Sequence, residues 1–169
     1  MKNRLGFLLM GLSLTGMAMA AEQAAFSEHV TQVDDRILLA GALDLDALRA
    51  AHDGEIRIVD LRTEGEGAPL EAAAAAELGL DYTNIPVSSA VVDPAQVDLL
   101  RGAIGEAGSD ELVIVHCRSG NRAGLLYGAA QLEAGVPLAD VQQAVSGIVT
   151  SEAIAEGLEA YARELDDGE

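Results

Sequence analysis

The 169-residue sequence has one cysteine, Cys117, and no tryptophan. A single thiol cannot form an intramolecular disulfide, so the fold has to rest on its core alone. Cys117 is then either a small buried hydrophobe or a group kept for its reactivity. Lysine is nearly missing as well, Lys2 being the one example. The formal net charge is −18, and beyond residue 20 eight arginines face 28 acidic residues, a balance of about −20. Such a surface repels nucleic acid and anionic membranes, which excludes both as partners, and it suits solvation in salty surroundings. Metal-ligand spacing is also lacking: His29 and His52 stand alone and read as solvated side chains, so neither a metal nor any other cofactor is expected.

Long apolar runs are confined to the amino terminus. Lys2 and Arg4 precede the apolar stretch Leu5 to Met17, and the small residues Ala18-Met19-Ala20 come before Ala21-Glu22. This is the pattern of a cleavable signal peptide over residues 1–20, and the stretch is short and diluted by Gly and Ser for a bilayer span. The expected product is a single domain over residues 22–169 in the periplasm or outside the cell, with no membrane attachment after cleavage. Half of the residues are apolar, enough for one sizeable core.

What remains is a regular alternation. After a polar lead-in from Glu22 to Asp35, strands are predicted at Arg36–Gly41, Ile56–Leu61, Tyr82–Pro86 and Glu111–His116. Helices are predicted at Asp44–His52, Pro69–Leu78, Asp93–Glu106, Ala123–Ala134, Leu138–Val145 and Ser151–Leu165, with Asp44 and Asp93 as N-caps and Pro94 at a first helical position. Strands alternating with helices imply an α/β fold of three layers, α/β/α, around a mainly parallel central sheet. The near-continuous apolar run Leu112 to Val115 marks the central strand. Ligands in such folds bind at the carboxyl ends of the strands, so the crevice is expected to open onto Cys117.

The segment that follows, Cys117-Arg118-Ser119-Gly120-Asn121-Arg122, has the makings of a nucleophile cradle. A sulfur at a helix N-terminus meets backbone N–H groups and the positive end of the helix dipole, which favour negative charge on it. Gly120 lets the backbone turn tightly so that successive amides point inward. Arg118 and Arg122 add guanidinium groups suited to an oxyanion, one of them bidentate. The implied ligand is a small anionic or phosphorylated molecule bound at Arg118, Ser119, Gly120 and Asn121. The bland alternative is a buried cysteine beside a capping loop with solvated arginines. Glu64 and Glu66 follow the strand end at Arg62 and read as a solvated loop near the mouth of the site rather than as acids; Tyr82 and Tyr127 read as packing.

From Arg36 to about Gly128 the sequence resembles the phosphatase-like domain of the beta-lactamase hydrolase-like proteins, a branch of the cysteine-dependent dual-specificity phosphatase superfamily. The landmarks are Ile58-Val59-Asp60-Leu61-Arg62, Leu80-Asp81-Tyr82-Thr83-Asn84-Ile85-Pro86-Val87 and His116-Cys117-Arg118-Ser119-Gly120-Asn121-Arg122-Ala123-Gly124. The resemblance implies a cysteine phosphatase-like fold, with Cys117 as nucleophile, Arg122 as the oxyanion-binding arginine and His116 as the neighbour that orients the loop. Two departures bear on mechanism. Four residues separate Cys117 from Arg122 where phosphatases of this superfamily usually have five, the shorter spacing being that of rhodanese loops. Ala123 stands where a hydroxyl is common. The loop from Pro86 to Val92 holds no carboxylate, and Asp93, the next one, reads as a helix cap rather than the general acid a phosphatase needs. Three functions therefore stay open: a phosphatase-family hydrolase, a sulfurtransferase carrying a Cys117 persulfide, and a non-catalytic anion-binding module.

Overall fold

The computed structural model of the protein describes residues 29–168. The leader reading of residues 1–20 lies outside the described residues. A five-stranded sheet has the order β1-β2-β5-β3-β4, with β1 (Val30–Asp34) antiparallel to β2 (Ile37–Ala40) and the rest parallel. The other strands are β3 (Ile56–Asp60), β4 (Asp81–Asn84) and β5 (Leu112–His116). The helices are α1 (Leu45–Ala51), α2 (Ala68–Glu77), α3 (Pro94–Glu106), α4 (Asn121–Glu133), α5 (Leu138–Val145) and α6 (Glu152–Gly168). Among the described residues no helix is long and apolar enough to cross a membrane.

The central strand shows why the fold has three layers. All five residues of β5 are buried, and alternate side chains serve opposite faces. Leu112 and Ile114 join Ile56, Ile58, Leu45, Leu48 and Ala75 under α1 and α2. Val113 and Val115 join Val59, Leu39, Val97, Leu100, Leu125 and Leu158 under α3, α4, α5 and α6. Each large apolar side chain so buried contributes about 1.5–3 kcal/mol. The three-layer α/β/α architecture is as expected from the alternation of elements.

Most predicted elements fall within a residue or two of the observed ones. Asp44 accepts the Ala47 N–H at 3.0 Å and Asp93 accepts the Ala95 N–H at 2.9 Å, so both caps are in place. The strand β1 is an addition, since its residues fall in the stretch read as a polar lead-in. Its side chains are exposed or half-buried, so its sequence carries little of the apolar signal that marks the inner strands. A second addition is the 3-10 turn Glu64–Glu66, within the segment expected as plain loop.

Parity along the strands also places the polar residues. Asp60 and His116, at the carboxyl ends of β3 and β5, are register partners on the face covered by α2. Beyond the last pair, Leu61 N–H donates to His116 O at 2.8 Å and Val87 N–H to Leu61 O at 3.0 Å. These bonds extend the sheet edge into the loops where Cys117 lies.

Candidate active site

Cys117 follows β5 directly, and its N–H donates to Ala40 O at 3.2 Å, which anchors the start of the loop to the neighbouring strand. The residue is fully buried. Gly120 ends the loop as the cap of α4, with φ +85°, and its N–H donates to Cys117 Sγ at 3.2 Å. The turn thus directs an amide at the sulfur, as the position of glycine predicted. Two constraints make Gly120 necessary: its left-handed backbone, and the overlap that a Cβ would have with Ile148, which lies buried against the loop. Gly124, one turn along α4, is likewise closed in by Ile148 and Val149.

The other predicted residues separate into two groups. Arg122 faces inward and its guanidinium is held from several sides. Nη1 donates to Val87 O at 2.7 Å and to Glu66 Oε2 at 2.8 Å, and Nη2 donates to Glu66 Oε1 at 2.7 Å. The Glu66 carboxylate, and then Cys117, act against burial to raise the pKa of Arg122 above the ordinary arginine value. Arg118 and Ser119 are exposed, with Ser119 forming an isolated antiparallel bridge to Gly41. The Asn121 amide is engaged within the protein: its Oδ1 accepts the N–H groups of Thr150 and Ser151 at 2.8 Å each, and its Nδ2 reaches Ser119 Oγ and Thr150 Oγ1 at 3.2 Å. Asn121 therefore ties the loop between α5 and α6 to the Cys117 loop. Asp93 is exposed and its carboxylate caps α3.

Behind the loop lies a buried charged network. The Asp60 carboxylate, with no exposed surface, accepts from Arg62 N–H at 2.8 Å, Arg62 Nε at 3.0 Å and Nη2 at 2.8 Å, and from Tyr82 Oη at 2.7 Å. Arg62 Nη2 also pairs with Glu71 Oε2 at 2.6 Å. His116, fully buried, sets Nε2 2.8 Å from Glu71 Oε1 and 3.5 Å from Asp60 Oδ1. The closer approach to Glu71 has the distance of an ion pair without the alignment of a hydrogen bond. Burial works against ionisation of Asp60, but the Arg62 hydrogen bond, the charge attraction of His116 and the Tyr82 hydroxyl outweigh it and hold the carboxyl below its ordinary range. Burial first, and then the Asp60 bond, push the Tyr82 hydroxyl in the opposite direction. Asp60, Glu71 and His116 bring one potential metal-ligating atom each within 4.8 Å of one another. The Arg62 guanidinium already bridges the two carboxylates, so it supplies there the positive charge that a cation would bring.

Two contributions to the site were not legible in the sequence. Glu66 carries the bidentate partner of Arg122, and its carboxyl is pulled down to about 2, first by Arg122 and then by the Thr63 N–H. A permanently ionised group of this kind is no proton donor. Glu71, in the Ala-rich α2, reaches His116 on the face of the sheet that α2 covers; only the packing of α2 on β3 and β5 reveals that contact. A signal did exist for Glu66, in the order Thr63-x-x-Glu66 of a capping box.

A mainly parallel sheet whose central strand runs into a Cys–Arg loop at a helix N-terminus is the arrangement of the cysteine phosphatase-like α/β fold, which the solved structures below share. The chain belongs to the family of the beta-lactamase hydrolase-like protein, phosphatase-like domain, whose model matches residues 30–134. It is 31% identical over 110 residues to the beta-lactamase hydrolase-like protein of Xylella fastidiosa (strain 9a5c), an alignment that takes in 62% of this chain and 25% of that protein. The chain thus spans about a quarter of the length of the curated relatives it matches. Among solved structures it shares its fold with a phosphatase candidate of the DUF442 group from Shewanella putrefaciens CN-32, at TM-score 0.68 and 20% identity, covering 89% of this chain and 97% of that one. It also matches P. aeruginosa TpbA in complex with pTyr, at TM-score 0.60 and 19% identity, covering 83% and 86%.

Proposed function

We propose that the protein is an exported cysteine-dependent phosphatase that hydrolyses small or peptide-borne aryl phosphates. The observation that supports this best is the convergence on one sulfur of the Gly120 amide, at 3.2 Å, and of an arginine clamped by Glu66 and Val87. Export rests on the leader-like pattern of residues 1–20.

In the proposed reaction the Cys117 thiolate attacks phosphorus in line with the leaving oxygen. An S–P bond forms, the P–O bond breaks, and the leaving group departs as phenolate, taking its proton from water. Loop amides and Arg122 hold the charge on the equatorial oxygens. Water then attacks phosphorus, the S–P bond breaks, and phosphate leaves with the thiolate restored. Neither Glu66 nor Asp93 suits the task of general acid. Glu66 is committed to Arg122, and Asp93 to the amide of Ala95. An aryl ester, whose leaving group needs little protonation, fits that arrangement better than an alkyl ester, and the pTyr bound by TpbA is an ester of this kind.

A second reading rests on the four-residue interval between Cys117 and Arg122. With thiosulfate, Cys117 attacks the sulfane sulfur, the S–S bond breaks, sulfite leaves, and the persulfide passes to cyanide or a thiol. The test assays the purified protein with an aryl phosphate and with thiosulfate plus cyanide, each beside Cys117→Ser. Phosphate release that is lost in the variant supports the phosphatase. Thiocyanate without phosphate release overturns it in favour of sulfur transfer, and anion binding without turnover of either substrate overturns both.

A further inference from the structure

An arginine presents five N–H donors in a rigid plane, and which edge faces the ligand depends on what holds the others. In Arg122 the Nη1–Nη2 edge is occupied. Glu66 takes one hydrogen bond from each terminal nitrogen, at 2.8 and 2.7 Å, and Val87 O takes another from Nη1 at 2.7 Å. Nε and the second N–H of Nη2 donate to no oxygen among the described residues, and the group they share the site with is the Cys117 sulfur. Those two donors form the adjoining edge, which has the same fork geometry for a second oxyanion.

Glu66 is itself held. Its Oε2 accepts the N–H and the hydroxyl of Thr63, at 3.0 Å each, closing the capping box of the 3-10 turn. The turn is fixed in sequence to the end of β3, the strand paired with the one that precedes Cys117. A chain of bonds therefore runs from the sheet through Thr63 and Glu66 to Arg122. Its side chains are largely but not wholly removed from water, at 30% exposure for Glu66 and 16% for Arg122.

We propose that Glu66 is a positioning residue, which clamps one edge of Arg122 so that the other, formed by Nε and Nη2, is presented to an oxyanion on Cys117. The inference rests on the reading of Arg122 as the oxyanion-binding group. Glu66 neither touches the substrate nor transfers a proton. Its effect falls on the affinity for the anion, and the sulfur stays where β5 and Gly120 put it.

The experiment uses the full chain and measures how inorganic phosphate and orthovanadate protect Cys117 from iodoacetamide, with aryl phosphate kinetics alongside. Glu66→Gln is expected to weaken protection and raise KM by roughly ten- to hundredfold, the value of a lost charged hydrogen bond. An unchanged melting temperature and circular dichroism spectrum in Glu66→Gln separate this loss from general loosening of the site. Thr63→Val, which keeps the carboxylate and its bonds to Arg122 but loses the hydroxyl donor to Glu66 Oε2, is expected to weaken protection by roughly three- to tenfold. Unchanged protection in Glu66→Gln overturns the proposal, as does unchanged protection in Thr63→Val should Glu66→Gln fail to fold. If the unaltered protein gains no protection from either anion, the oxyanion-binding reading of Arg122 fails, and the positioning role fails with it.

Discussion

Replacing Arg62 by methionine tests whether the buried network behind the Cys117 loop is held by charge balance. The methionine side chain approximates the length of arginine but removes the one guanidinium between Asp60 and Glu71. Asp60 is fully buried and the Glu71 side chain is 12% exposed, so two carboxylates are left facing each other with Tyr82 as the remaining hydrogen-bond donor to Asp60 apart from the backbone N–H at position 62. Breaking a buried pair in this way costs about 3–5 kcal/mol, a large share of the roughly 5–15 kcal/mol that stabilises a domain. In urea denaturation at pH 7 that loss lowers the midpoint by about 2 M. The pH dependence gives a second, independent reading. In the unaltered protein the Asp60 carboxyl is held below its ordinary value of 3.8, so its stabilising contribution is present above that value and is lost as the pH falls further. Without Arg62 the burial that opposes ionisation dominates, the carboxyl shifts upward, and the penalty is relieved as acid protonates it. The stability gap between the two proteins is therefore widest at neutral pH and narrows toward pH 4. A midpoint shift below about 0.5 M, or a gap that does not change with pH, would refute the charge-balance argument.

Further outcomes follow from the loop geometry and the surface charge. Gly120→Ala has to bear a left-handed φ, at about 1–2 kcal/mol, and to displace Ile148, so a lower melting temperature and slower alkylation of Cys117 are expected together. Gly157→Ala places a methyl group against Ala90 O, where α6 meets the loop between β4 and α3; faster hydrogen exchange over residues 88–92 is the expected readout, and unchanged exchange would show that the contact does not hold the loop. With a net charge of −18, the protein repels anionic substrates at long range, so kcat/KM for an aryl phosphate is expected to rise with added salt, and a steady fall would contradict that account.

Local physics made much of the molecule readable. The uniform burial of β5 follows from a run of apolar residues that no surface strand would carry, and Asp44 and Asp93-Pro94 announce helix starts because their side chains and ring suit those positions. Cys117, Gly120 and Arg122 were legible for the same reason: strand, turn and helix are consecutive, so chain connectivity alone puts them in one loop. The half-exposed β1 escaped because it has almost no apolar pattern to detect.

Connectivity does not reach across the sheet. That Glu66 meets Arg122, 56 residues away in sequence, and that Glu71 meets His116 depend on how β3 and β5 pair and on how α2 packs over them. A glutamate in a solvated loop and a glutamate in a buried ion pair have the same sequence; the difference arises when a third element closes over them and removes the water. The sequence by itself thus determined the layers of the fold and the identity of the candidate nucleophile with its arginine. Tertiary structure alone decided which acids hold that arginine and that histidine, because long-range electrostatic partners are chosen by packing.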